Sequence, residues 1–206
     1  MVFVRKTFFD AVRVSLFDGV LQRRQVTGLT AILDRGEGAA ETDDRWLAYM
    51  LATVHHETGR TMQPVRETFA ASDARAIVLL DSAFEHGRLP SVSVPYWRRD
   101  AQGKSWLGRG LVQLTHRANY EKMAQATGID LVSRPERAME MAVAIDILFT
   151  GMRTGAFTGR RLDQYFSADR EDWTGARRII NGRDRAALVA GYGRRYLAAI
   201  RLAAAA

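Results

Sequence analysis

The sequence predicts a mainly α-helical protein with one small β element. Three observations carry that expectation. Apolar residues recur at helical spacing along most of the chain. Glycine, proline or a capping residue stands at most of the breaks between those stretches. Strand-like alternation shows in one place only, residues 105–115.

In order, residues 8–16 form a short amphipathic segment through Phe8, Phe9, Val12 and Leu16, broken at Asp18 and Gly19. Residues 22–33 read as a second helix with Val26, Leu29, Ile32 and Leu33 inward, followed by a loop at 35–40. Residues 42–57 read as a third, and Ser72 caps a fourth that carries Ala76, Ile77, Leu80 and Phe84 and ends at Gly87. Residues 90–104 are polar and irregular, with Tyr96 and Trp97; a loop this long within a domain is often functional. In the 105–115 stretch, Leu111, Gln113 and Thr115 alternate with Val112 and Leu114, while Gly108 and Gly110 mark a tight turn or close backbone approach. Helices are then expected at 118–127, 136–154, 173–180 and 184–202, with a turn at 154–159 and Asn181-Gly182 between the last two. No repeat or linker interrupts the chain, so residues 1–206 read as a single domain.

Composition bounds the partners. The 206 residues carry a net charge of +7 with a pI near 10.2, which suits an anionic partner: nucleic acid, an acidic membrane surface or a bacterial envelope. There are no cysteines, which excludes disulfides and thiolate metal sites. His55, His56, His86 and His116 fall at no familiar ligand spacing, so no metal and no cofactor is expected. Arg5, Lys6, Asp10 and Arg13 interrupt the apolar runs near the start, which therefore reads as neither a signal peptide nor a membrane span. The expectation is a protein made in the cytoplasm that reaches any outside target by other export or by lysis.

The third helix is the one the chain is organised around. Trp46, Leu47, Met50, Leu51 and Val54 give it a buried face, Thr42 is a candidate N-cap, and Asp43 and Asp44 suit its positive end. Glu57 extends the apolar stripe at the C-terminal end. Burial and the negative end of the helix dipole both disfavour a carboxylate there, which suits a group that hands on a proton. Helix position alone favours an ordinary solvent-facing glutamate on a fraying turn, and the rest of the chain has to shift that reading. Glu67, ten residues on and beside Arg66, is the candidate ionised partner.

Two stretches, HHETG at 55–59 and GRGLVQLTHRANY at 108–120, followed by RRIING at 177–182, resemble glycoside hydrolase family 19, the chitinases and phage-type endolysins of the lysozyme-like superfamily. The resemblance spans about residues 45–200 and implies two mainly helical lobes beside a substrate cleft, with a small antiparallel sheet at one edge. It implies inverting hydrolysis of a β-1,4 bond between N-acetylated sugars, with Glu57 as proton donor. Glu67 takes the water-activating role at the spacing of phage-type members; plant chitinases separate the two further, and Glu85 and Asp73 are fallback bases. By the same match Thr115 holds the water, while Gln113, Asn119 and Asn181 bind sugar. Tyr120 and Trp97 could stack on sugar faces, Tyr120 equally being a core aromatic, and Arg109 is expected to pair with a carboxylate near the site. An inverting pair needs its carboxyls about 6.5–9.5 Å apart, one protonated and one ionised.

Arg177, Arg178, Arg183, Arg185, Arg194, Arg195 and Arg201 crowd the C-terminal region, while Leu188, Val189, Tyr192, Tyr196 and Ile200 make an inward stripe. A solvated helix face is the plainer reading; contact with anionic envelope polymer is the functional one. The expected function is cleavage of peptidoglycan between N-acetylmuramic acid and N-acetylglucosamine by a monomer, with chitin as the alternative substrate. A nucleic-acid-binding protein fits less well, because the arginines are spread and no reading motif is evident. A glycan-binding protein without activity would not need Glu57, Glu67, Gln113 and Thr115 together.

Overall fold

Residues 3–38 and 43–206 are described by the computed structural model, in which the chain divides into two units. Unit 1 takes both ends of the chain, Met1–Gln63 and Leu148–Ala206, and unit 2 is the inserted segment Pro64–Ile147.

Unit 1 contains α1 (Arg5–Leu16), α2 (Arg23–Glu37) and α3 (Asp44–Glu57). Every residue of α3 from Leu47 to His55 is buried, so it is a core helix rather than a one-faced surface helix. Asp43 caps it by accepting from the Arg45 N–H at 2.8 Å; the expected cap, Thr42, lies outside the described residues. The long helix α7 (Ala186–Ala205) packs on α3 and α1. Its buried face is rich in small residues, Ala190, Gly193, Ala199 and Ala203, and a Cβ at Gly193 would stand 2.6 Å from the Trp173 ring. That close approach brings the buried Tyr196 hydroxyl to 3.0 Å from His55 Nδ1. Leu188, expected to face inward, is 43% exposed.

Unit 2 holds α4 (Asp73–Glu85) and α5 (Arg117–Thr127). Ser72 caps α4 as expected, accepting from Arg75 N–H at 3.2 Å. Helix α6 (Met141–Thr154) carries the chain from unit 2 into unit 1. In unit 2 the strands β1 (Val65–Arg66) and β2 (Arg109–Gly110) pair antiparallel, Val65 with Gly110 and Arg66 with Arg109.

Four local expectations change. The strand expected over 105–115 keeps only Arg109–Gly110. After it the chain reverses, Arg109 and Leu114 exchange backbone hydrogen bonds of 3.2 and 2.9 Å, and Gln113 sits at φ 52°. The alternation seen in sequence was therefore the two arms of one tight loop. The helix expected over 136–154 is broken: a 3-10 turn at Pro135–Met139 precedes α6, with Glu140 extended at ψ 129°. Residues 173–180 give a 3-10 turn, Gly175–Ile179. An unforeseen hairpin, β3 (Phe166–Ser167) with β4 (Arg170–Glu171), lies in unit 1; two-residue strands are too short to show a period. Among the described residues no helix is long and apolar enough to cross a membrane.

Gly28 in α2 lies against the Met62 backbone, where a Cβ would stand 1.8 Å from the Met62 carbonyl oxygen. Gly28→Ala is therefore expected to destabilise the protein by about 1–3 kcal/mol despite alanine's better helix propensity. Denaturant unfolding midpoints check this.

Candidate active site

In unit 1, Glu57 ends α3, and its side chain is 16% exposed. Its Oε1 accepts from the Arg177 guanidinium at 2.6 Å. Arg177 is itself buried, and its Nε donates to the Asp184 carbonyl at 3.1 Å. The sequence argument for Glu57 contained burial and the helix dipole but no counter-charge; the structure supplies one. Arg177 was counted among the solvated C-terminal arginines, and its burial removes it from that set. The clue was its place in RRIING, where the 3-10 turn Gly175–Ile179 turns it inward. Asn181 follows on the same turn, its N–H bonded to the Arg177 carbonyl at 3.0 Å. Its side chain is exposed, with Oδ1 accepting from Gly182 N–H at 2.8 Å. Beside Glu57, burial foremost lowers the proton affinity of His56, with Arg177 acting the same way and Glu57 against it.

In unit 2, Glu67 begins the short 3-10 turn after β1, and the sheet register hands its backbone N–H to the Gly108 carbonyl at 2.7 Å. Both carboxylate oxygens are held: Oε1 accepts from the Tyr96 hydroxyl at 2.6 Å and Oε2 from the Gly108 N–H at 2.8 Å. Gly108 is the point around which the second motif closes. A Cβ there would stand 2.8 Å from Gln113 Oε1, 3.2 Å from Thr115 Cγ2 and 3.3 Å from Glu67 Oε2. Glu67, Gln113 and Thr115 are thus gathered round one glycine. Gln113 Nε2 donates to the Val65 carbonyl at 2.9 Å, and Asn119 Nδ2 to the Thr115 carbonyl at 2.9 Å.

Other expected residues have different work. Arg66 does not serve Glu67; its Nε meets Asp73 Oδ1 at 2.6 Å. The other Asp73 oxygen takes the buried Arg109 at 2.6 Å. Burial opposes the charge on Asp73, but the two guanidinium groups outweigh it and hold its carboxyl below the usual range. With both oxygens committed, Asp73 is a structural clamp, and Glu85 is exposed at the end of α4. Arg109 also bonds the Ser105 carbonyl at 3.0 Å and the Tyr120 hydroxyl at 2.9 Å. It does pair with a carboxylate, as expected, but from a position buried away from any ligand. Trp97 and Tyr120 are fully buried, so neither offers a face to a sugar. Trp97 Nε1 donates to Asp81 at 2.9 Å, and the Tyr120 hydroxyl donates to the Leu107 carbonyl at 2.9 Å. The aromatic that reaches a candidate carboxylate is Tyr96, next to Trp97 in the same loop; sequence alone did not distinguish them.

A family model described as chitinase class I matches residues 35–151, more than half the chain. The chain belongs to glycoside hydrolase family 19. It is a glycoside hydrolase with the mainly helical, lysozyme-like fold of that family. The match includes the stretches that carry Glu57, Glu67 and 108–120, and ends before Arg177 and Asn181. Comparison with curated proteins and with solved structures finds no match. Among the described residues no group of three or more histidine, aspartate or glutamate side chains could hold a metal ion.

Two outcomes follow from these surroundings. Gly108→Ala should cut turnover at least tenfold with a smaller effect on melting temperature, because the added methyl presses on Gln113, Thr115 and Glu67; paired kinetics and thermal melts check this. His55, buried, has its pKa pushed down to about 4 from 6.5. The unfolded chain then binds the extra proton, so this stability is complete above about pH 6.5 and is lost as pH falls towards 4, by up to ~3 kcal/mol. Urea unfolding across that window should show the loss, and His55→Gln should remove the part due to His55 while His56, lowered in the same direction, keeps its own; Asp73 contributes its loss only at lower pH.

Proposed function

We propose that this glycoside hydrolase is an endolysin-type enzyme that cuts the β-1,4 bond between N-acetylmuramic acid and N-acetylglucosamine of peptidoglycan with inversion. Family membership supports the glycosidic bond as target. The strong positive charge and the absence of cysteine support a bacterial envelope substrate. The observation that carries the mechanism is the cradle of Glu67, whose two oxygens are fixed while Gln113 and Thr115 crowd the same glycine.

In this reading Glu57 is the acid. Arg177 occupies Oε1, which leaves Oε2 as the oxygen free to pass a proton. The leaving sugar oxygen takes that proton as the bond to the anomeric carbon breaks. Glu67 is the base: each carboxylate oxygen keeps a lone pair beyond its present bond and can accept from water held by Thr115. Water adds to the anomeric carbon and its proton passes to Glu67, so the two carboxyls end with exchanged protonation and solvent resets them. Gln113 and Asn119, each with its amide N–H₂ bonded to backbone, turn an oxygen to the sugar's hydroxyl and N–H groups. Asn181, with its oxygen bonded to Gly182, offers its N–H₂ group.

The protein would act as a monomer on the wall after export or lysis, with Arg178, Arg183, Arg185, Arg194, Arg195 and Arg201 as the remaining basic surface for anionic polymer. Chitin is the second reading, favoured by the description of the matching family model. Purified peptidoglycan and chitin oligomers separate the two. Reducing ends are expected from peptidoglycan, and release from chitin alone would overturn the choice. Glu57→Gln should stay folded and lose turnover about 10²- to 10⁴-fold, because an amide cannot supply the proton. Near-normal turnover would remove Glu57 from the acid role.

A further inference from the structure

Unit 2 carries an open groove of ≈ 500 Å³ lined by Ser91, Val92, Ser93, Val94, Tyr96 and His116. Tyr96 belongs both to this groove and to the surroundings of Glu67. Its ring is gripped from two sides: Trp97 meets it edge-on with centroids 5.0 Å apart, and His116 lies tilted against it at 4.1 Å. His116 holds that place at a positive φ of 66°, a conformation that costs a non-glycine residue and persists where the surroundings enforce it. Its N–H bonds the Trp106 carbonyl at 3.0 Å, and its own carbonyl accepts from Asn119 and Tyr120 in the first turn of α5. The Tyr96 ring is therefore fixed in direction, and its hydroxyl ends 2.6 Å from Glu67 Oε1.

We infer that Tyr96 is the positioning residue for the water-activating carboxylate, with His116 as the wall that keeps its ring in place. The inference rests on the reading of Glu67 as base. Three facts support it. The Gly108 N–H fixes one oxygen of Glu67 only, and a carboxylate held at one oxygen can still swing about the bond to Cγ. Tyr96 supplies the second anchor, on the other oxygen. Burial first, then the neighbouring Glu67 charge, raises the proton affinity of the Tyr96 hydroxyl, so it remains a donor across any working pH. The charged groups around the pair do not replace it: Arg66 and Arg109 are committed to Asp73, Arg117 reaches Glu121 and Asp100, and the Tyr120 hydroxyl is bonded to Arg109 and Leu107.

The test uses the glycan that the wild-type protein cleaves and four proteins: wild type, Tyr96→Phe, His116→Ala and Glu67→Gln. Tyr96→Phe keeps the ring and deletes the donor. It should lower kcat about 10- to 100-fold with KM within about twofold, since a misplaced catalytic group slows chemistry more than binding. The acidic limb of its kcat/KM profile should move to higher pH, because a donor that favoured the carboxylate is gone. His116→Ala keeps the donor and frees the ring, and should show a smaller change in the same two readouts; it keeps the question answerable if the phenylalanine variant folds poorly. A Tyr96→Phe protein with wild-type melting, kcat and pH profile overturns the inference while leaving Glu67 as base. A Glu67→Gln protein that turns over normally removes the base assignment and the inference with it.

Discussion

A guanidinium does not surrender its proton inside a protein, so a buried arginine must be met by a carboxylate or by enough acceptors to replace water. Among the described residues two buried arginines impose that requirement, one in each unit. Arg177 is met by Glu57, and Arg109 by Asp73 together with the Ser105 carbonyl and the Tyr120 hydroxyl. Within each unit the candidate residues are arranged around that unit's own commitment. In unit 2, Arg109 ties the start of α4, the 105–107 backbone and α5 to one charge. That segment leads into Gly108, whose N–H and carbonyl fix Glu67 by side chain and by backbone. In unit 1, the turn that buries Arg177 also holds the exposed Asn181, whose N–H bonds the Arg177 carbonyl.

The two candidate carboxylates are thereby given different surroundings by simple means. Glu57 sits at the end of a core helix with a charged partner on one oxygen. Glu67 sits on a sheet edge with two neutral donors, a phenol and a peptide N–H. Glycine is as necessary to the second environment as the charged residues. With any side chain at 108, Gln113, Thr115 and Glu67 could not all approach the same backbone.

Much of this was legible in the sequence, for physical reasons that differ by element. Helices α1 and α2 carry the clearest apolar stripes, and at α4 Ser72 and Gly87 fall where they should. HHETG and GRGLVQLTHRANY carry the family resemblance in the sequence itself. What failed was local and short. The loop at 111–114 imitates a strand because alternation records only which residues are buried, not how the chain turns. The break at Glu140 leaves no trace in composition. Trp97 and Tyr96 are adjacent aromatics, and only packing decides that the first fills the core while the second reaches Glu67. Arg177 looked like one more surface charge, because a counter-charge 120 residues away along the chain is invisible to any window.

Inversion at the anomeric carbon, as proposed, requires that Glu67 activate water rather than attack the sugar itself. The direct measurement is proton NMR of the first product released by the wild-type protein, recorded before mutarotation sets in. A new reducing end that appears first as the α-anomer is the result this account predicts. A β-anomer at the earliest times would mean retention, and the assignment of Glu67 as the residue that activates water would be wrong.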